Sequence, residues 1–389
     1  MKIAFDGAPV CPEQLTGIGM HEKEICRALI RLHPENEYAF NYFSLKDKAG
    51  KRKRMKAYEA DNVKTRSFPL LTDGMYKLVY GMIPIPYKWL FRGKQDITHF
   101  FNFIIPPGVK GKKVCTIHDL AFRRYPETVA LKTRKMLEYR LGSTVKRADH
   151  IFVVSEFTKK ELSELYKVPE EKMTVLYAGV DFGMYRRMER SAETDALLEK
   201  AGVSDGNYFF YLGTLEPRKN LTRLMGAYAE TAKRLAAEGK NVPDLVLGGK
   251  AGWYYGEIFD RMEKEGISGK VKRLGYISDE EKSIFYARAR AFVFPSLYEG
   301  FGMPVAEAMA CGAPVLTSNV SSLPEVTGGN AVECDPLSEK EIADGLYSLS
   351  TDDELCRRLS YEGEAWSKRF TWEATAEKMY QIYKELLKK

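Results

Sequence analysis

The chain has 389 residues, 44% of them hydrophobic and 29% charged, and 60 Lys and Arg against 53 Asp and Glu give a formal net charge of +7. This length exceeds one small core and predicts two domains of ordinary globular composition. The mild positive balance suits an anionic ligand or an anionic membrane surface and does not require nucleic acid, and no run of about 18 apolar residues is available for a spanning helix.

Residues 2–5 read as a first strand, entered directly from M-K-I-A-F-D-G without a signal-peptide apolar region. The six cysteines, Cys11, Cys26, Cys115, Cys311, Cys334 and Cys356, form no C-x-x-C pair, which predicts buried reduced thiols and a cytoplasmic protein. After a loop with two prolines, Gly17-Ile18-Gly19 opens a helix with Ile18, Ile25, Ala28 and Leu29 on one face. Strand, glycine loop and helix begin a doubly wound domain, although Glu22 breaks the full G-x-G-x-x-G fingerprint. Residues 38–43 read as a second strand and the charge run at 46–56 as a solvated loop. Residues 75–92 mix Tyr, Trp, Phe, Lys and Arg around aliphatics. Two readings stay open there: an interfacial anchor carrying Tyr76, Tyr80, Trp89 and Phe91, or a core helix interrupted by Pro84 and Pro86. With the basic run, the first reading would give peripheral contact with an anionic membrane at the inner face of the plasma membrane.

Strands follow at 96–103, 113–117, 148–154 and 173–177. His118 ends one of them, where a doubly wound sheet faces its ligand crevice, and Ser155 is placed to cap the helix after another. Residues 183–205 read as a linker with one short helix. The chain therefore divides into a first domain at 1–185, a linker at 186–206, a second domain at 207–370 and a closing helix at 371–389.

In the second half, strands at 208–212, 244–247, 271–274, 291–294, 314–317 and 331–333 alternate with helices, predicting a second parallel doubly wound domain. The first leads into G-T-L-E-P-R-K-N, with Asn220 as helix cap. Arg218 and Lys219 thus lie at the carboxyl edge of the sheet, where two cations can hold a diphosphate. The strand at 291–294 hands over to E-G-F-G-M-P-V-A-E. Glycine lets backbone amides approach a ligand there, and a helix N-terminus favours negative charge. Acids at Glu299 and Glu307 beside a phosphate site make sense if they bind hydroxyls, which suggests a sugar nucleotide.

These motifs, with T-G-I-G, T-I-H-D-L-A-F, V-S-E-F-T and Y-A-G-V-D, resemble the retaining GT-B glycosyltransferases of family four over nearly the whole chain. The resemblance implies two Rossmann-like domains facing a cleft, with the C-terminal helix crossing back to the N-terminal domain. It implies that Arg218 and Lys219 hold the donor diphosphate, that Glu299 binds donor sugar hydroxyls and Glu307 ribose hydroxyls, and that the amides of Phe301, Gly302 and Met303 face sugar and phosphate oxygens. His118 would stand by the reacting face of the sugar, Gly17 and Gly19 would approach the phosphates, Ile277 would lie where backbone reads the base, and Asp119 and Ser155 would serve the acceptor side. Met20 departs from the basic residue that many relatives carry. With no D-x-D motif, no metal or other cofactor is expected, the two cations replacing it. The implied reaction moves a hexose, with retention, from a nucleotide sugar to a saccharide or lipid-linked saccharide in cell-surface polysaccharide synthesis. GDP-mannose is favoured over UDP-glucose or UDP-N-acetylglucosamine, and a non-catalytic nucleotide-sugar-binding subunit is the alternative from another class.

Overall fold

The computed structural model describes residues 1–80 and 85–388, arranged as two compact units. The first comprises Met1–Gly179 with Thr371–Lys389, and the second comprises Val180–Phe370. Among the described residues each unit is built on one all-parallel sheet, with helices in the crossovers. Both follow the doubly wound pattern expected from alternating strands and helices.

In the first unit the strands are β1 (Lys2–Asp6), β2 (Glu37–Phe43), β3 (Val63–Phe68), β4 (Ile97–Phe100), β5 (Lys112–Ile117), β6 (His150–Val153) and β7 (Met173–Val175), in the order β3-β2-β1-β4-β5-β6-β7. Ile3 pairs with Tyr38 on one side and Ile97 on the other, so strand order reverses at β1 and β4. Sequence reading missed β3. It is an edge strand, V-K-T-R-S-F, largely open to solvent, and it lacks the apolar run that marks a strand buried on both faces.

The second sheet contains β8 (Tyr208–Leu212), β9 (Asp244–Gly248), β10 (Val271–Gly275), β11 (Ala291–Phe294), β12 (Val315–Ser318) and β13 (Val332–Cys334), in the order β10-β9-β8-β11-β12-β13. β8 reads Y-F-F-Y-L and is buried throughout, as a central parallel strand must be. The reversal lies between β8 and β11. Residues 186–206 fold with this unit: Leu198 of the helix Ala192–Lys200 is buried, and Asp205 receives the guanidinium of Arg288 at 2.7 Å.

Two readings of the first half are corrected. The basic run is not a loop: Lys48–Lys56 is a helix started by Asp47, whose carboxylate accepts from the Gly50 amide at 3.1 Å. It is pinned by buried Met55, by Arg54 Nε on the Cys11 carbonyl at 2.6 Å and by Lys51 Nζ on the Phe43 carbonyl at 3.0 Å. Residues 75–92 contribute two short helices, Asp73–Val79 and Tyr87–Leu90. Pro84, and residues 81–83 before it, lie outside the described residues. Tyr76, Tyr80, Tyr87 and Phe91 pack into the core with Phe43 and Phe100, so three of the four aromatics named for an interface are interior. Only Trp89 stays outside, 65% exposed. Among the described residues no helix is long and apolar enough to cross a membrane.

The C-terminal helix Trp372–Lys388 belongs to the first unit. Its face of Trp372, Ala376, Met379, Tyr383 and Leu386 is buried. Thr375 Oγ1 donates to the Tyr177 carbonyl at 2.8 Å, Glu377 meets His33 Nε2 at 2.9 Å, and Gly179 leaves room for Trp372 that a Cβ would remove. Its deepest polar contact joins Tyr383 Oη to His99 Nδ1 at 2.5 Å, with His99 Nε2 on Thr116 Oγ1 at 2.8 Å. Burial holds His99 well below the usual imidazole range, so the ring is neutral and needs both partners. Tyr383→Phe strands one ring nitrogen in the core and is expected to lower the unfolding free energy by about 1–3 kcal/mol. Urea titration checks this, and an unchanged midpoint would mean that the helix is not integral to the unit.

Candidate functional site

The carboxyl ends of β8 and β11 adjoin where the order of the second sheet reverses, the position at which open parallel sheets form a ligand crevice. Two loops leave the sheet here and are tied to each other. The amide of Leu297 donates to the Arg218 carbonyl at 2.9 Å, and Arg218 Nη1 donates to the Tyr298 carbonyl at 2.6 Å. Asn220 precedes the helix Leu221–Ala237, but its side chain does not cap it. Its backbone is left-handed (φ 62°), and its side-chain Nδ2 donates instead to the carbonyls of Pro295 at 3.0 Å and Pro336 at 2.6 Å. The expected cap is thus a clamp that holds the β8 loop against the β11 loop.

That clamp brings Arg218, Lys219 and Glu299 together. Glu299 Oε1 accepts from Lys219 Nζ at 2.5 Å and from Ser296 Oγ at 2.6 Å, and Oε2 lies 3.1 Å from Arg218 Nη1. Arg218 Nη2 also meets Glu216 Oε1 at 2.7 Å. Burial alone would raise the Glu299 carboxyl, but Arg218 and Lys219 outweigh it and hold it down at about 2. Glu299 is therefore a fixed anion. Lys219, only 9% exposed, is pulled below the ordinary ammonium range by burial and by Arg218, with Glu299 opposing.

The helix Met303–Ala310 starts directly behind this cluster. Gly302 sits at its N-terminus with φ 105°, and a Cβ there would meet Leu323 at 2.8 Å, so only glycine fits. Ser322 Oγ braces the approach by donating to the carbonyls of Glu299 at 3.0 Å and Phe301 at 2.8 Å. Phe301 is buried; the amides of Gly302 and Met303, at the start of this helix, meet no acceptor within the chain among the described residues. Glu307, one turn in, receives a hydrogen bond from Tyr286 Oη at 3.1 Å. Burial pushes its carboxyl up to about 7 against the pull of Lys282 and Tyr286, with Asp279 adding to the rise. Ile277, in the loop after β10, is buried against Gly248.

In the first unit, Gly17 and Gly19 open the helix Gly17–Leu32, capped by Thr16. A Cβ on Gly19 would strike the Pro9 carbonyl at 2.5 Å, whereas Gly17 has open space around it. His118 Nε2 donates to the Phe101 carbonyl at 2.7 Å, which leaves Nδ1 as the acceptor. Burial lowers its pKa against the effects of Phe101 and Asp119. Asp119 Oδ1 accepts from the Ala121 amide at 3.0 Å. Ser155 is fully buried, its hydroxyl accepting from the Thr158 amide at 3.0 Å and donating to Thr158 Oγ1 at 2.9 Å as a helix cap. Among the described residues no group of three His, Cys, Asp or Glu side chains is arranged to hold a metal ion.

Residues 194–366 match the family model "Glycosyl transferases group 1" and residues 15–183 match "Glycosyltransferase Family 4", so each unit carries one match. The O-antigen chain mannosyltransferase B of Escherichia coli is 32% identical over 99% of this chain and 100% of its own length. The chain belongs to glycosyltransferase family 4. A serotype-specific mannosyltransferase, WbdA, of Escherichia coli is 31% identical over 76% of this chain, which spans 36% of that protein. The family fold, GT-B, is also that of Anabaena Alr3699/HepE, solved in complex with UDP-glucose, with a TM-score of 0.73 at 18% identity over 99% of this chain and 100% of that one.

Three groups of this family-4 site were not read from the sequence. Glu216 lies in the same eight-residue motif as Arg218 and was legible as its counter-ion; Ser296, three residues before Glu299, was legible too. Tyr286 carries no local signal, because its partner Glu307 is 21 residues away on another helix.

Lys219→Ala leaves buried Glu299 with Arg218 as its one cation, beside the Ser296 hydroxyl, and is expected to cost about 3 kcal/mol of folding stability, part of it regained on adding Glu299→Gln. Chemical denaturation of the three chains checks this, and a single variant as stable as the native chain would contradict a buried pair. For Glu307 the folded pKa lies above its ordinary 4.5, so its stabilising contribution is complete below that value and disappears as pH rises through about 7. The native chain should therefore lose stability relative to Glu307→Gln between about pH 5 and about pH 8; parallel curves would place Glu307 in water.

Proposed function

We propose that the protein transfers a hexose, mannose in first place, from a nucleoside-diphosphate donor to a saccharide or lipid-linked saccharide of a cell-surface polysaccharide, with retention and without a metal. The observation that carries this reading is the Arg218–Lys219–Glu299 cluster at the strand-order reversal of the second sheet. Its chemistry answers a reaction in which a sugar leaves a diphosphate. Negative charge grows on the leaving phosphates, where Arg218, Lys219 and the N-terminus of Met303–Ala310 can stabilise it. Glu299, ionised at any working pH, can accept hydroxyls of the donor sugar, and its charge suits the cationic character that develops on the ring. Glu307 serves the ribose hydroxyls. Mannose and polysaccharide assembly are favoured by the names of the O-antigen mannosyltransferases at 32% and 31% identity.

The test is release of nucleoside diphosphate from GDP-mannose, UDP-glucose and UDP-N-acetylglucosamine, each in EDTA. GDP-mannose should be consumed fastest, without added metal. Arg218→Ala should cut turnover by about 10²–10³. Glu299→Gln should reduce kcat, whereas Glu307→Gln should act mainly on donor KM. Faster turnover of a UDP sugar would change the donor, and activity restored only by a divalent ion would overturn the metal-free scheme.

A further inference from the structure

Among the described residues, neither ring nitrogen of His21 has a hydrogen-bond partner. This side chain, 2% exposed in the second turn of Gly17–Leu32, therefore acts on its surroundings through its ring alone. Three aromatic groups meet it. The His118 ring stands edge-on, with centroids 5.1 Å apart and an interplanar angle of 89°. Trp372 is edge-on at 5.4 Å and 74°, and Phe101 is tilted at 6.2 Å. Edge-to-face contact at such distances is a favoured geometry of aromatic pairs.

His118 is the ring that needs such a hold. It is partly exposed, whereas His21 behind it is buried. Its hydrogen bond from Nε2 to the Phe101 carbonyl sets one corner of the ring and leaves the plane to be set by packing. Two rings do that packing: His21, and Phe103 at 5.8 Å and 61°. Phe103 is constrained in turn, since its backbone is left-handed at φ 59°, a conformation rare for a bulky residue. His21 is seated by Trp372, the first residue of the C-terminal helix, for which Gly179 leaves room. It is also seated by Phe101, whose ring stacks on His99 at 3.9 Å.

The titratable groups near this pair are Glu22 on the same helix, His99 on β4, and Asp119 after β5. Burial first, then His118 and His99, hold His21 well below the usual imidazole range, so it offers His118 no charge. Burial lowers His118 as well, against the Phe101 carbonyl and Asp119. A neutral His118 that donates from Nε2 has Nδ1 as its acceptor.

We propose that His21 is a positioning residue for His118: its ring, seated by Trp372, fixes the plane in which His118 presents Nδ1 to a hydroxyl of the donor sugar. This rests on the glycosyl-transfer reading, in which His118 stands by the reacting face of that sugar; the ring contacts themselves do not depend on it.

The test compares nucleoside-diphosphate release by the native chain, His21→Ala, His118→Ala and the double variant, with GDP-mannose, UDP-glucose and UDP-N-acetylglucosamine as probes. His21→Ala should lower kcat by about 10–10² in the native background and by less than about twofold in the His118→Ala background, because it acts through a ring already removed. Losses that multiply would overturn the proposal. His21→Phe keeps a ring and removes the two unpartnered nitrogens, so its kcat should stay within about threefold of the native value. A loss as large as that of His21→Ala would overturn the proposal whatever the alanine variant does to folding. NMR of nitrogen-labelled histidine gives a readout besides activity. His118 should show the Nε2–H tautomer alone in the native chain and both tautomers in His21→Ala; an unchanged single tautomer would also overturn the role. If the native chain turns over none of the three donors, the transferase reading fails and the spectra still decide what His21 does. Turnover with multiplied losses defeats the positioning role alone.

Discussion

Four charges held at one point of the second sheet govern this molecule. Glu216, Arg218, Lys219 and Glu299 sum to zero, and the two acids position the two cations. Two unit charges about 4 Å apart interact by roughly 4 kcal/mol at the effective dielectric of a protein, so each contact offsets much of the cost of taking its partners out of water. The cluster exists because strand order reverses at β8 and β11. That reversal opens a gap between their crossover helices, and both loops enter it with polar groups that must find partners. The side-chain amide of Asn220 ties the β8 loop to Pro295 of the β11 loop and to Pro336 after β13.

The neutrality of the cluster has a chemical use. A site with two unopposed cations would bind free diphosphate tightly and hold the product as firmly as the donor, which is uniform binding and contributes little to kcat. Here Glu299 shares both cations in the resting protein. In the proposed transfer, donor hydroxyls on Glu299 would compete for the same carboxylate lone pairs and free the cations for the phosphates. Charge then develops against groups already aligned, with little reorganisation at the moment of bond breaking. Burial and Arg218 hold Lys219 below the ordinary ammonium range, with Glu299 opposing.

Much of the site was legible in the sequence because its parts are local. G-T-L-E-P-R-K-N and E-G-F-G-M-P-V-A-E each lie at a strand-to-helix junction, and apolar runs such as Y-F-F-Y-L mark the strands that deliver them. What failed to show was set by tertiary partners. Asn220 has the sequence position of a cap, but Pro295 and Pro336 take its amide. Tyr76, Tyr80 and Phe91 have the composition of an interfacial segment, but Phe43 and Phe100 cover them. The run at 46–56 looks like a solvated loop until Met55 is buried and the Phe43 and Cys11 carbonyls claim Lys51 and Arg54. β3 alternates too weakly to announce itself, because an edge strand needs little apolar surface.

The two units also differ in how they treat buried polarity, and the difference bears on what each is for. Among the described residues, the second unit leaves no buried side-chain polar atom unpartnered, since its charges pair with one another and its serines with loop carbonyls. The first unit keeps Glu22 with both carboxyl oxygens unpartnered, its pKa pushed well up by burial and by Asp6. A buried polar group without a partner makes a resting core less favourable than an apolar residue of similar shape would. Proteins retain such groups where a bound molecule completes them. The second unit pairs its buried charges within the chain, whereas the first keeps buried polar atoms that its own fold leaves unmet among the described residues.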